Sequence, residues 1–191
     1  MALHIARRCF TVEEYHRMAA AGILSEDDRV ELIEGEIVEM TPIGSRHASC
    51  AIRLNQLFSQ RLGQRALVSV QNPIWLGERS EPQPDLALLR PRPDFYAQAH
   101  PEPRDVLLLV EVAETSGAYD REVKLPLYAR AGIAEVWLVD LEHAGIEVYR
   151  QPGPQGYQFV QRVGPEARLA PQAFPDLALA VAEIIGLPEA K

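Results

Sequence analysis

The chain has 191 residues, 47% of them hydrophobic and 24% charged, which suits one well-buried core, is short for two, and is ordinary for a soluble globular protein. No apolar run approaches the roughly 18 residues that span a bilayer, and the opening MALHIARRCF lacks a signal-peptide core, so the expectation is a single cytoplasmic domain over 1–191. A net charge of −8 excludes an obviously basic nucleic-acid binder, and the two cysteines, Cys9 and Cys50, in no zinc-like spacing, are read as reduced thiols without function.

Thr11 and Glu14 stand in capping-box spacing, and Val12, Tyr15, Met18 and Ala19 follow at helical intervals, so a short helix is expected before Gly22. DRVELIEGEIVEM then reads as a hairpin turning at Glu34 and Gly35, completing an N-terminal unit over about 10–40. In that register Leu32 and Ile37 share one face, while Glu31, Ile33, Glu36 and Val38 share the other. Glu31 or Glu36 could thus approach a site; the default for each is a solvated carboxylate.

Residues 45–62 carry Ala48, Ala51, Ile52, Asn55, Phe58 and Leu62 on one stripe, with Gly63 placed to stop a helix. His47 in its first turn is either a capping or surface histidine or a contact to a phosphate or a metal's water. Between Glu39 and Glu78 there is no acid, while Arg46, Arg53, Arg61 and Arg65 are present. That face could meet phosphates, stay solvated, or pair with acids of another subunit. Two strands are expected at 66–76 and 83–89, then an irregular proline-rich stretch, RPRPDFYAQAHPEPR, that could rim a site.

A third strand covers 105–112, and 119–131 reads as a helix stopped by Gly132, with Asp120 and Lys124 one turn apart and open to a simple i,i+4 pair. Pro126 removes a backbone donor there, so a kink or a late start is expected. EVWLVD at 135–140 and GIEVYR at 145–150 form a second hairpin, 156–163 adds an edge strand, and 174–187 reads as a short packing helix. Trp137 and Tyr149 are read as core.

The chemistry concentrates between 84 and 128. Glu111 interrupts an apolar run, Val106 to Val112, of the kind buried on both faces of a sheet. Burying an unpaired charge is costly, so it must be protonated, paired with a cation, at the strand's exposed end, or bound to a metal. Asp85 raises the same question, opening the run Leu86 to Leu89 behind Pro84. Two such acids on neighbouring strands would suit a hard, oxygen-loving cation such as Mg²⁺ or Mn²⁺. Lys124 would add positive charge beside a phosphate or orient the attacking water.

The segments ELIEGEIVEMTPIGSRH, PQPDLALL, LLLVEVAETS, YDREVKLPLYARAGIAEVWLVD and IEVYR, in this order, resemble the putative restriction endonuclease family of bacterial proteins, within the PD-(D/E)XK nuclease superfamily. The resemblance runs from about Phe10 to about Arg150 and implies an α/β, restriction-endonuclease-like mixed sheet flanked by helices, with an added N-terminal helix and hairpin. It implies a core over about 45–150, followed by a C-terminal strand and short helix in 156–187. The superfamily's Asp and Glu fall on Asp85 and Glu111. Its lysine position two residues later holds Ala113, a departure, but the family carries its lysine on the next helix, where Lys124 stands. The implied activity is Mg²⁺- or Mn²⁺-dependent cleavage of DNA, with Asp85, Glu111 and the backbone carbonyl of Val112 holding the metal. Lys124 would act in catalysis, and His47, Glu36 and Asp120 are auxiliary candidates. A homodimer suits a duplex substrate. The alternative is a nuclease-fold module that binds nucleic acid or protein without cutting, for which the acidic net charge speaks. A metal-free hydrolase finds no G-x-S-x-G elbow to support it.

Overall fold

The computed structural model describes residues 7–25 and 27–187. Helix α1 (Val12–Ala20) starts on the expected capping box, with Thr11 and Glu14 exchanging side-chain and backbone hydrogen bonds. Strands β1 (Val30–Ile33) and β2 (Glu36–Glu39) form the expected hairpin, pairing Glu31 with Val38 and Leu32 with Ile37. Glu34 and Gly35 both take positive φ, 49° and 85°, the geometry a two-residue hairpin turn needs.

The larger sheet has six strands in the order β3 (Leu67–Val70), β4 (Leu86–Leu89), β5 (Val106–Ala113), β6 (Glu135–Asp140), β7 (Gly145–Gly153), β8 (Gly156–Val163). All neighbours are antiparallel except β5 and β6. That parallel pair needs a crossover, and the helical run through α3 (Gly117–Tyr119) and α4 (Leu125–Ala131) supplies it. Helix α2 (Ser45–Leu62) covers the opposite face. The C-terminal segment packs beside α2, with the short pair β9 (Arg168–Leu169) and β10 (Leu179–Ala180) and helix α5 (Val181–Ile185).

Strand alternation assigns the two faces. Leu86, Leu88, Leu108, Val110 and Val112 pack toward α2, while Ala87, Leu89, Leu109 and Ala113 pack toward α4. Glu111 shares the parity of Leu109 and Ala113, so it projects to the α4 side.

Several expectations are corrected. The strand foreseen at 66–76 ends at Val70, because Gln71 turns to φ 52° and Pro73 has no N–H to donate. The apolar stripe of α2 is rotated: Leu54 and Leu57 are buried, whereas Ile52 is 66% exposed. The four arginines near α2 also have partners within the chain, while the side chains of Arg46, Arg61 and Arg65 stay partly exposed. Arg46 donates to the Leu141 carbonyl, Arg53 to those of Ile184 and Ile185, and Arg61 and Arg65 pair with Glu183 and Asp176. The helix expected over 174–187 is confined to Val181–Ile185, since Leu177, Leu179 and Val181 recur with the period of a strand and Pro175 restricts the residue before it.

Candidate active site

The site is built where β4 begins and β5 ends. Register pairs Leu86 with Val110, and one residue further brings Asp85 opposite Glu111 on the α4 side of the sheet. The Asp85 N–H points at Glu111 Oε2 at 3.4 Å, and Asp85 Oδ2 accepts the Val112 N–H at 2.8 Å. On its other oxygen Asp85 accepts Gln71 Nε2 at 3.3 Å and meets His47 Nε2 at 2.7 Å. Both carboxylates are nearly buried, Asp85 at 8% and Glu111 at 3% exposure. A strand residue's N–H and C=O leave by the same edge, so the Val112 carbonyl also faces the Asp85 side.

From the crossover, Tyr128 donates its hydroxyl to Glu111 Oε1 at 2.5 Å, and Lys124 Nζ lies 3.3 Å from the same oxygen. Lys124 also pairs with Glu31 of the hairpin at 3.2 Å. The helix does not run regularly there: Asp120–Lys124 is a π-turn. The widened turn leaves room at Glu122 for the ring of Pro126, whose missing N–H falls at the second position of α4, where no partner is needed. This resolves the kink expected at Pro126, and it also alters the pairing. Lys124 takes Glu31 and Glu111, while Asp120 accepts the Ser116 hydroxyl at 2.7 Å, so the simple Asp120–Lys124 bridge is replaced.

Glu31, His47, Asp85, Glu111, Asp120 and Lys124 line one cavity of about 470 Å³. Glu36 does not: it sits beside the hairpin turn opposite Ile33, exposed, and pairs with Arg7 at 3.2 Å. The Glu31 side chain, deeper in the hairpin, enters the site instead. The proline-rich stretch lines a different cleft, together with α1. Sequence reasoning missed Tyr128 and Gln71. Tyr128 stands one turn beyond Lys124 on the same helix, a spacing that could have drawn attention to it; nothing local marks Gln71.

The electrostatics are those of acids in excess. Burial pushes the Glu111 carboxyl up, to about 8, against the pull of Lys124, with Asp85 and Asp120 adding to the rise. Burial also raises Asp120. The surrounding carboxylates, Glu111 and Glu31 foremost, outweigh desolvation at Lys124 and hold its ammonium well above the ordinary lysine range. His47 is raised by its bond to Asp85, also against desolvation. Among the described residues four buried carboxylates thus face one buried ammonium and one imidazole, with the less buried Arg29, Glu39 and Glu114 also on the wall. The buried Tyr119 hydroxyl on the cavity wall has no partner among the described residues. Among the described residues Glu111 Oε2 receives only the long contact from the Asp85 N–H. An all-oxygen donor set with surplus negative charge and spare lone pairs fits a hard divalent cation.

A family model described as "Putative restriction endonuclease", Uma2, matches residues 12–182. The chain also resembles the crystal structure of a putative nuclease belonging to DUF820 from Anabaena variabilis ATCC 29413, with a TM-score of 0.74. The two share 17% sequence identity, over 93% of this chain and 98% of that one. No curated protein matches. At that identity the structural likeness shows a common fold.

Proposed function

The chain belongs to the Uma2 family of putative restriction endonucleases, and on that premise we propose that it is a metal-dependent endonuclease hydrolysing phosphodiester bonds in DNA. The observation that carries the reading is one cleft in which Asp85 stands opposite Glu111 and the Lys124 ammonium lies 3.3 Å from Glu111 Oε1. Asp85, Glu111 and the Val112 carbonyl would hold Mg²⁺ or Mn²⁺, which when bound supplies Lewis acidity and a readier hydroxide.

The chain's own residues divide the remaining work. Lys124 is held protonated by its carboxylate neighbours. It therefore acts as a fixed positive charge beside the phosphate, or orients the attacking water, rather than as a base. Glu31 and Glu111 anchor that ammonium from two sides, and Gln71, His47 and the Val112 N–H fix the Asp85 carboxylate. Tyr128 holds Glu111 in its rotamer from the α4 side. A homodimer would present two such clefts to the two strands of a duplex.

The competing reading is a nuclease-fold module that does not cut. In its favour stand the net charge of −8 and the pairing of Arg46, Arg53, Arg61 and Arg65 with groups of the same chain. Nicking of supercoiled plasmid DNA decides between them. The expected result is Mg²⁺- or Mn²⁺-dependent nicking, abolished by EDTA and reduced roughly a hundred- to a thousandfold by Asp85→Asn or Glu111→Gln. Nicking equal in wild type and both variants would assign the cleavage to a contaminant and leave the non-cutting module as the better account.

A further inference from the structure

A second cavity, of about 800 Å³, lies against α1 and the proline-rich loop and shares no lining residue with the acidic cleft. Three side chains far apart in sequence meet in it. His16 comes from the middle of α1. Glu81 comes from the segment before β4, whose N–H bonds the Leu32 carbonyl of β1 at 2.8 Å. His100 comes from the end of the proline-rich loop, beside Pro101, whose carbonyl accepts the Trp75 N–H at 3.0 Å. One ligating atom from each of the three lies within 4.8 Å of the others.

Glu81 is the anomaly that needs explaining. It is 3% exposed, and His16 Nε2 meets its Oε1 at 2.7 Å. Its Oε2 is buried with no hydrogen-bond partner among the described residues. A buried carboxylate oxygen without a donor is costly, and native structures leave few of them without a reason. The imidazole of His100 stands edge-on to that of His16, with ring centroids 6.1 Å apart. Among the described residues no lysine or arginine lines this cavity, so no side-chain cation there answers Glu81 apart from the two histidines.

We propose that His16, Glu81 and His100 form a binding site for a divalent transition-metal ion of the Zn²⁺ class, separate from the catalytic cleft. Two imidazoles and a carboxylate are a borderline donor set that selects Zn²⁺, Ni²⁺, Cu²⁺ or Fe²⁺ over Mg²⁺, whereas the ligands proposed in the cleft, Asp85, Glu111 and the Val112 carbonyl, are all oxygens. Ligand atoms around a tetrahedral zinc stand roughly 3.3 Å apart, given bonds of about 2.0 Å. Closing from the present spread takes modest rotation of His16, whose side chain is half exposed, and of the exposed His100. Three protein ligands leave a fourth position facing the cavity, where Trp75 and Tyr96 stand. The ion would tie α1 and the proline-rich loop to the segment that docks the hairpin, and through Glu31 the hairpin reaches Lys124.

The test is equilibrium dialysis of the full chain against Zn²⁺ in excess Mg²⁺, with Co²⁺ as a spectroscopic probe. Wild type should bind one zinc that Mg²⁺ does not displace, and Co²⁺ should give the visible absorption of a four- or five-coordinate site with nitrogen ligands. His16→Ala and His100→Ala, both at exposed positions that leave the core intact, should each weaken zinc at least about tenfold. Asp85→Asn and Glu111→Gln should leave it unchanged. Zinc should also slow proteolysis within the proline-rich loop in wild type and not in His100→Ala. The site is refuted if zinc fails to bind, if the double variant His16→Ala/His100→Ala binds it as wild type does, or if zinc is lost with the two cleft variants.

Discussion

Replacing Lys124 with Ala removes the one ammonium from a cavity that holds Glu31, Asp85, Glu111 and Asp120. Lys124 is 6% exposed and bridges Glu31 at 3.2 Å and Glu111 at 3.3 Å. Removing one partner of a buried ion pair costs about 3–5 kcal/mol, because the other charge is left uncompensated. Glu111 has a way out, which is to take a proton. In the metal-free protein its folded value, about 8, lies above the ordinary 4.5, so the folded state holds a proton that the unfolded state releases. That contribution to stability is fully present below about pH 4.5 and is lost as pH climbs toward 8. At about 1.4 kcal/mol per pH unit the interval bounds the effect at roughly 5 kcal/mol. Without the ammonium's pull Glu111 rises further, so its ionisation is still costlier in the variant. Lys124→Ala is therefore expected to cost more at about pH 9 than at about pH 5.5, by up to about 1.4 kcal/mol. Urea denaturation in EDTA at the two pH values measures this, and Mn²⁺ should restore part of the loss at the higher pH. The same variant should bind Mn²⁺ by calorimetry yet nick DNA roughly a hundred- to a thousandfold more slowly. An equal stability loss at both pH values would refute the account of Glu111 as the group that absorbs the change.

Glu111→Gln removes the costly buried charge, so in EDTA at about pH 8.5 it should melt higher than wild type, with a flatter dependence of stability on pH, while Mn²⁺ binding is lost; a lower melting temperature at that pH would count against burial as the dominant cause. Tyr128→Phe deletes the hydroxyl donor to Glu111 and should cost about 1–3 kcal/mol in urea denaturation with the fold retained. On α2, Leu54→Ala should cost about 2–5 kcal/mol and Ile52→Ser within about 0.5 kcal/mol, since Leu54 is wholly buried and Ile52 is 66% exposed. Equal costs at the two positions would mean the helix presents another face to the sheet.

What the sequence determined by itself were the elements and the identity of the chemically loaded positions. Capping and turn chemistry are local, so Thr11 and Glu14, the Glu34–Gly35 turn and the stop at Gly132 were legible, as was the anomaly of an acid inside the apolar run of β5. Period-two alternation gave the parity of Glu31 in the hairpin, and the resemblance supplied the order of Asp85, Glu111 and Lys124. Tertiary structure decided which partners those side chains found. Periodicity reports how one element meets its surroundings on average; it carries no information about which side chain arrives from an element tens of residues away. So Lys124 took Glu31 rather than Asp120, Glu36 stayed in solvent, and Arg53, Arg61 and Arg65 found partners in the C-terminal segment. The rotation of α2 escaped for a related reason: Leu54 and Ile52 are equally apolar, and only the packed sheet tells one from the other. The convergence of His16, Glu81 and His100 had no local trace at all, because separations of 65 and 19 residues are closed only when α1, the hairpin and the proline-rich loop dock together.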